Sequence, residues 1–368
     1  RERALQIANE VSGRREPTGP VVRALVVSAY QSFFFGRTAE AHQLFNRARD
    51  IAHRSSDAAS QVLAIGRHVE ALMRYIGLEA ALGDLTAYKK AVFRAGQPTW
   101  FATMHRVLAE AELKGGRSHR ALKELELCDL HVQSTQDLVS MAQLNIARSA
   151  AFGLLGDFYS SYDYGLAAVE LVGRSGARSL LQSAQGNVAH CQTVLGHHEE
   201  ADQVLRSLAS NIPPSIDRAL DIRGSQLMLA TARSDESRAF EIDSEFGPIS
   251  DGRTSVNAQW YSLNRITYLI RFGRPDLAAA VGLRCLANPT QADKDFISRV
   301  RTATADALAL SENPSQAGPL LAAVVTGSQG HLPEFIASTQ RVSARLSTDS
   351  RPAAFEHYAR SARVFGHI

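Results

Sequence analysis

The feature that most constrains the fold of this sequence is a turn-and-helix pattern that recurs along the chain. In each copy a glycine is followed by a position five residues later that is usually small, and by mostly apolar positions nine and twelve residues later. Six segments carry the pattern: Gly36 (GRTAEAHQLFNRA), Gly83 (GDLTAYKKAVFRA), Gly116 (GRSHRALKELELC), Gly156 (GDFYSSYDYGLAA), Gly196 (GHHEEADQVLRSL) and Gly273 (GRPDLAAAVGLRC). Two further copies, at Ser234 and Glu312, lack the glycine. The mean interval is about 39 residues, within the range of helical repeats.

The spacing inside each copy predicts a pair of antiparallel helices. A glycine at a helix end adopts the left-handed conformation that reverses the chain at little cost. Positions five, nine and twelve after it share one face of the following helix. A small residue at the first of these positions lets the two helices approach closely, and the other two positions fill the space to the next pair. Because no single pair can bury its face alone, the pattern predicts a stack of hairpins.

Composition agrees with such a stack and excludes several other classes. A length of 368 residues would ordinarily suggest two or three domains, whereas the repeat predicts one elongated array. The formal net charge is +3, and no basic run supports binding to nucleic acid. No apolar stretch is long enough to span a bilayer. Three cysteines far apart, Cys128, Cys191 and Cys285, indicate a reducing, cytoplasmic location and no disulfide framework.

The repeated segments resemble the tetratricopeptide repeat, most closely in FGRTAEAHQLFNRA and LGHHEEADQVLRSL. The resemblance covers about residues 20–330, although the period exceeds the usual 34 residues and the aromatic signature of the first helix is degenerate. It implies an all-α fold, a right-handed solenoid of about nine helix hairpins. Residues 1–19 would form a partial repeat or cap, 20–330 the core repeats, and 331–368 a C-terminal hairpin or cap. Long, divergent repeats of this kind resemble those of bacterial signalling and transcription regulators, including repeat regions fused to GGDEF diguanylate cyclase domains.

The sequence also predicts where individual helices end. The second hairpin is predicted as helices at 57–82 and 84–95, with the turn at Gly83. Pro213 with Pro214, and Gly247 with Pro248, are the strongest predicted breaks, and the second pair ends a helix predicted for 235–246. Further helices are predicted at 1–12, 331–346 and 351–364.

Candidate ligand-binding residues follow from the resemblance, because the first helix of each hairpin lines the concave face in tetratricopeptide arrays. Asn187 and Asn264 each lie nine residues before their glycine, where an asparagine in the family often contacts the backbone of a bound peptide. The other predicted concave-face residues are Arg106, Arg271, Tyr30, Phe33, Phe34 and Trp260. Amides, cations and aromatic rings are the groups that peptide recognition requires.

Motifs for catalysis or metal binding are mostly absent. The sequence contains no phosphate loop, no HExxH, no GxSxG and no CxxC. GHHEEAD at 196–202 is the nearest approach to a metal cluster, but it is typical of a solvated turn with acidic residues at a helix N-terminus. We therefore expect neither a cofactor nor a catalytic or metal site.

The function predicted from the sequence is non-catalytic recognition. The chain would bind a peptide or protein segment in its concave groove, without contacts to nucleic acid or membrane. Because it starts at Arg1 and ends in RVFGHI, it is expected to be part of a longer bacterial signalling protein and to relay binding to an effector domain. The alternative is a structural or dimerisation scaffold of a multidomain enzyme, such as a diguanylate cyclase, or of a transcription regulator. A homodimer would then form through the C-terminal helices, with the amphipathic segment 351–364 in the interface.

Overall fold

A computed structural model describes residues 18–35, 37–115, 117–210, 216–251, 255–287, 294–311, 314–327, 340–343 and 345–346. The helices are α1 (Thr18–Phe34), α2 (Thr38–Arg54), α3 (Ala58–Tyr75), α4 (Leu78–Ala95), α5 (Pro98–Lys114), α6 (Ser118–Thr135), α7 (Leu138–Leu154), α8 (Phe158–Ser175), α9 (Arg178–Leu195), α10 (His198–Ser210), α11 (Ile216–Ala232), α12 (Glu236–Asp251), α13 (Val256–Arg271), α14 (Pro275–Ala287), α15 (Lys294–Leu310) and α16 (Ala317–Gly327). A short 3₁₀ helix, Pro314–Gln316, precedes α16.

The helices form eight consecutive hairpins within the described part of the chain, each with an odd-numbered first helix and an even-numbered second helix. Each second helix packs against the first helix of the next hairpin, and neighbouring first helices also contact one another. Neighbouring second helices make no comparable contact among the described residues. The array is therefore an α-solenoid that curves toward its first helices, as the repeat predicts.

The buried positions of the second helices confirm the spacing of the repeat. The residue five positions after the turn is at most 2% exposed in every hairpin: Ala41, Ala81, Ala121, Ser161, Ala201, Ala239, Ala278 and Ala317. Leu125 and Cys128 in α6, and Leu205 and Leu208 in α10, occupy positions nine and twelve and are also buried. Close contact between the two helices of a hairpin explains why these sites hold small residues.

The predicted turn at Gly83 is wrong. Gly83 lies inside α4, and the chain reverses at Ile76 and Gly77, where Gly77 has a φ of 134°. The equivalent buried positions in α4 are Ala81, Leu85 and Tyr88. With this correction the turn positions of the sequence pattern are 36, 76, 116, 156 and 196, at equal intervals of 40 residues, and the unequal intervals between Gly36, Gly83 and Gly116 disappear.

The predicted helix end at Gly247 is also wrong, because α12 continues to Asp251. Pro248 lies inside this helix, where a proline lacks the amide hydrogen that would bond to the carbonyl four residues earlier. Pro248 lies near the C-terminal end of α12, so only three residues of helix follow it. The extra turn carries Asp251 to the next hairpin, where it pairs with Arg265 and Arg284 at 2.8 and 3.0 Å.

Other predicted elements fall on residues outside the described ranges. These are the helix at 1–12, the Pro213–Pro214 break, the helix at 351–364 and most of the helix at 331–346. No helix in the described ranges combines the length and the hydrophobicity needed to cross a membrane.

Candidate functional site

The solvent-facing side of the first helices forms the concave surface of the solenoid, and we call this surface the groove. The residues that reach it lie about two, six, nine and thirteen positions before each turn. Exposed groove residues include Arg23 and Val27 on α1, Arg67 and Arg74 on α3, His190 and Val194 on α9, Asp221 on α11, and Thr267 and Arg271 on α13. Basic, acidic, polar and apolar side chains therefore follow one another along the inner face.

The two asparagines predicted for the groove make the same bond at the same repeat position. Nδ2 of Asn187 donates to the backbone carbonyl of Ile146 at 3.2 Å, and Nδ2 of Asn264 donates to the carbonyl of Gly224 at 3.0 Å. In each case the acceptor lies ten residues before its turn on the preceding first helix. Both side chains are half-buried. These amides thus join adjacent first helices.

A buried carboxylate, Glu70, organises the N-terminal part of the groove. It accepts hydrogen bonds from Tyr30 at 3.3 Å and from Arg67 at 2.7 Å, and it also pairs with Arg106. Burial alone would raise the pKa of Glu70, but the charges and hydrogen bonds of Arg106 and Arg67 outweigh it and hold the pKa below its usual value. Arg106 therefore forms an ion pair with Glu70 that joins two hairpins, and Glu110 lies 4.0 Å from Arg106.

The predicted aromatic residues divide between core and groove. Phe33 is buried in the core, stacked on Tyr75 with ring centroids 5.4 Å apart, so its predicted place on the groove is wrong. Tyr30 is half-buried above Glu70. Trp260 is half-buried, with the guanidinium of Arg299 5.9 Å from its ring centroid. The side chain of Phe34 lies outside the described set.

Two arginines occupy the position two residues before a turn, and their surroundings differ. Arg271 is exposed and donates to the hydroxyl of Ser234 at 3.1 Å. Arg74 is exposed and makes no hydrogen bond or ion pair with any described residue. Sequence reasoning missed Arg74, because the turn predicted at Gly83 hid the equivalence of Arg74 to Arg271, which lies two residues before a turn. The equal 40-residue intervals are the signal that would have identified it.

Two titratable side chains of the groove, on α9 and α11, have shifted pKa values. His190 and Asp221 are exposed to solvent, yet desolvation by the surrounding protein lowers the pKa of His190 to about 4 and raises the pKa of Asp221. Arg299 also lowers the pKa of His190, whereas Arg218, 3.5 Å from the Asp221 carboxylate, and then Arg74 oppose the effect of burial on the pKa of Asp221. Charges on hairpins two and six therefore lie within electrostatic range of each other across the groove.

The cysteine and histidine pair at 190–191 does not form a nucleophilic site. Cys191 is buried and its thiol donates to Ser161 at 3.0 Å, which in turn donates to the carbonyl of Ser149 at 2.7 Å. Burial raises the pKa of Cys191, with the bond to Ser161 opposing it, which keeps the group a thiol. His190 points to the groove and Cys191 into the core, as expected for adjacent residues on a helix.

The one histidine–aspartate pair with the geometry of a catalytic dyad within the described ranges is closed to solvent. Nδ1 of His68 lies 3.0 Å from Asp84, which also binds Arg49 at 2.8 Å. His68 is 5% exposed, Phe45 stacks on it with centroids 4.7 Å apart, and Nδ1 of His42 lies 3.3 Å from its other nitrogen. A substrate has no access to this cluster. It joins the first two hairpins.

The described residues contain no group of three or more histidine, cysteine, aspartate or glutamate side chains that could hold a metal ion. In the GHHEEAD segment, Glu199 pairs with Arg233 at 2.8 Å at the start of α10. The segment thus connects α10 to the next first helix.

A cleft of about 370 Å³ opens on the outer side, between the second helices α12 and α14. Phe240 and Leu277 provide its apolar lining. Arg265 and Arg284 also line it, but both pair with Asp251. These charged groups neutralise one another, so the cleft offers less to a polar ligand than the groove does.

No known family model and no curated protein matches the chain in sequence. Solved structures match the fold. A Rap protein, described as complexed with Competence and Sporulation Factor, aligns with a TM-score of 0.66 and 14% identity over 95% of this chain and 97% of its own. The apo form of the quorum sensor NprR from B. thuringiensis aligns with a TM-score of 0.58 and 10% identity over 94% and 98%. The chain is therefore an all-α solenoid with a tetratricopeptide-like repeat, as its sequence predicts.

Proposed function

We propose that this chain is a non-catalytic regulatory module that binds a short peptide along its groove. The observation that carries the proposal is the groove itself, where the first helices present free and half-buried polar groups over successive hairpins. Two structures with this fold support it, since one is a Rap protein in complex with Competence and Sporulation Factor and the other is a quorum sensor.

The dimensions of the groove suit an extended oligopeptide. Eight extended residues span about 26 Å, and helices pack about 10 Å apart, so such a peptide crosses about three first helices. A ligand that contacts several hairpins favours one spacing between them, which shifts the population of solenoid conformations. We propose that this shift is passed to an effector domain of a bacterial signalling protein, in the cytoplasm.

A random octapeptide library tests the function. The full 368-residue chain is immobilised, bound peptides are identified by mass spectrometry, and the best is resynthesised for isothermal titration calorimetry. We expect selective enrichment and one-to-one binding, and weaker binding by the double variant Asn187→Ala/Asn264→Ala. Enrichment no greater than on a bare support would refute peptide binding, while equal affinity of the double variant would exclude the two asparagines only.

A further inference from the structure

Arg74 differs from its neighbours Arg67 and Arg106 in that its guanidinium makes no hydrogen bond or ion pair with a described residue. Arg67 and Arg106 both pair with Glu70. Arg74 lies on the next turn of α3 from Glu70 and is exposed to the groove. Its five N–H donors are therefore available to a ligand.

Arg74 lies within electrostatic range of three carboxylates but forms an ion pair with none of them. Glu110 and Glu70 act on its charge from hairpins three and two, and neither lies within ion-pair distance of it. Across the groove, Asp221 on α11 is within its electrostatic range. A planar guanidinium that is fixed on a helix and free at its donor edge matches the two oxygens of a carboxylate.

We infer that Arg74 is the carboxylate subsite of the groove, which binds a carboxylate of the peptide ligand through paired N–H···O hydrogen bonds. This inference rests on the peptide-binding function proposed above. The carboxylate can come from the C-terminus of the peptide or from an aspartate or glutamate side chain, and the experiment below separates the two sources.

Asp221 sharpens the inference, because its carboxylate, which lies 3.5 Å from Arg218, is also within electrostatic range of Arg74. Its negative charge attracts Arg74 when the groove is empty and repels a ligand carboxylate that arrives there. Removal of this charge in Asp221→Asn should therefore strengthen the binding of a carboxylate ligand and leave a neutral ligand unaffected.

Arg94 provides a matched control on the same hairpin. It lies in the last turn of the second helix α4, as Arg74 lies in the last turn of the first helix α3, and it is exposed. It faces away from the groove and likewise makes no hydrogen bond or ion pair with a described residue.

The test uses the full chain and two octapeptide pools, one with a free C-terminal carboxylate and one with a C-terminal amide. Affinities of the best peptide and of its amide or asparagine/glutamine analogue are then measured for wild type, R74Q, R74K and R94Q. Far-UV circular dichroism confirms that each variant folds. Enrichment from the acid pool alone assigns the subsite to the C-terminus, and enrichment of aspartate or glutamate in both pools assigns it to a side chain.

We expect R74Q to lower the affinity for the carboxylate peptide at least about tenfold. The affinity of R74K should be intermediate, and that of R94Q should equal the affinity of wild type. The neutral analogue should bind wild type more weakly than the carboxylate peptide does, by the same factor. The R74Q substitution should not weaken the binding of the neutral analogue any further. The subsite is refuted if wild type and R74Q bind the carboxylate peptide with equal affinity. It is also refuted if wild type binds the carboxylate peptide and its neutral analogue equally well. Either result leaves the proposed peptide binding in place. If neither pool yields a ligand, the proposed function and the subsite both fail.

Discussion

The side-chain amide of Asn264 donates to the backbone carbonyl of Gly224, 40 residues earlier in the chain and 3.0 Å away. Asn187 makes the equivalent bond to Ile146. An asparagine at this repeat position therefore has a packing role in the solenoid, whether or not its oxygen also contacts a ligand. Substitution should be visible first in the stability of the array.

Replacement of Asn264 by alanine should lower the free energy of unfolding by about 1 kcal/mol, the usual net contribution of one such hydrogen bond. Urea denaturation followed by circular dichroism measures the change. Asn145 serves as control, because it is half-buried on a first helix and its side chain makes no hydrogen bond with a described residue. Equal destabilisation by Asn145→Ala and Asn264→Ala would mean that the bond to Gly224 has no specific effect.

Replacement of Glu70 by alanine should cost about 3–5 kcal/mol, because the half-buried charge of Arg106 loses its partner. The isosteric Glu70→Gln keeps the shape and should cost less. The pKa of Glu70 is lowered in the folded protein from its ordinary value of 4.5. Its charge therefore stabilises the fold above about pH 4.5, and this contribution is lost as the pH falls below that value.

Denaturation of wild type and Glu70→Gln between pH 7 and pH 3 measures this dependence. The stability difference between the two proteins should shrink as the pH falls through the folded-state pKa. A difference that stays constant over the whole range would show that the charge of Glu70 does not stabilise the fold.

Gly66 and Gly186 both lie ten residues before their turns, yet alanine should have opposite effects at the two sites. A Cβ atom at Gly66 would lie 2.5 Å from Cε2 of the buried Tyr88, whereas one at Gly186 would meet nothing within 4 Å. Gly66→Ala should therefore destabilise the fold by about 1–3 kcal/mol. Gly186→Ala should stabilise it by up to about 1 kcal/mol, through helix propensity alone. Thermal unfolding of the two variants gives the comparison, and a stabilised Gly66→Ala would contradict the close packing of Tyr88.

His190 should titrate near pH 4, because desolvation in the groove and then the charge of Arg299 lower its pKa. Proton NMR of the imidazole ring measures the midpoint, with His190→Gln used to assign the signal. Arg299→Gln should move the midpoint upward. Because the folded-state pKa lies below the ordinary 6.5, this residue destabilises the fold as the pH falls from 6.5 toward 4, and His190→Gln should remove that penalty. A midpoint near 6.5 would show that the groove does not desolvate this ring.

The fold was predictable because its signal is repeated. Ala41, Ala201 and Ala278 occupy the same position in three hairpins, and helix packing tolerates little variation there. The second hairpin failed, because Gly83 follows a leucine and precedes an aspartate, like the true turn at Gly156. The burial of Ala81 places the turn at position 76, five residues earlier. The sequence of this one repeat does not show which of its residues are buried. The helix end predicted at Gly247 and Pro248 was wrong for a different reason: near the end of a helix, the missing amide hydrogen of a proline costs little stability.

The candidate site was less predictable, because a side chain's partners come from neighbouring hairpins. Repeat position placed Asn187 and Asn264 on first helices, but it did not reveal their bonds to the backbone of the preceding first helix. It placed Arg106 near the groove without revealing Glu70, which lies in the hairpin whose turn was misassigned. It assigned Phe33 to the groove, although one residue of rotation, about 100° on a helix, separates that face from the core.

The equal 40-residue intervals also determine which side chains the proposed peptide would meet along the inner face. Six residues before each of the first five turns, the inner face presents Tyr30, Glu70, Glu110, Ala150 and His190 in order. Glu70 and Glu110 repeat the residue type, but only Glu70 is buried and paired with Arg67 and Arg106. The proposed peptide, displaced by one hairpin, would therefore meet different side chains at most contacts. The scaffold is periodic and its inner face is not. For the proposed peptide, this non-periodic face would favour one direction and one register of binding.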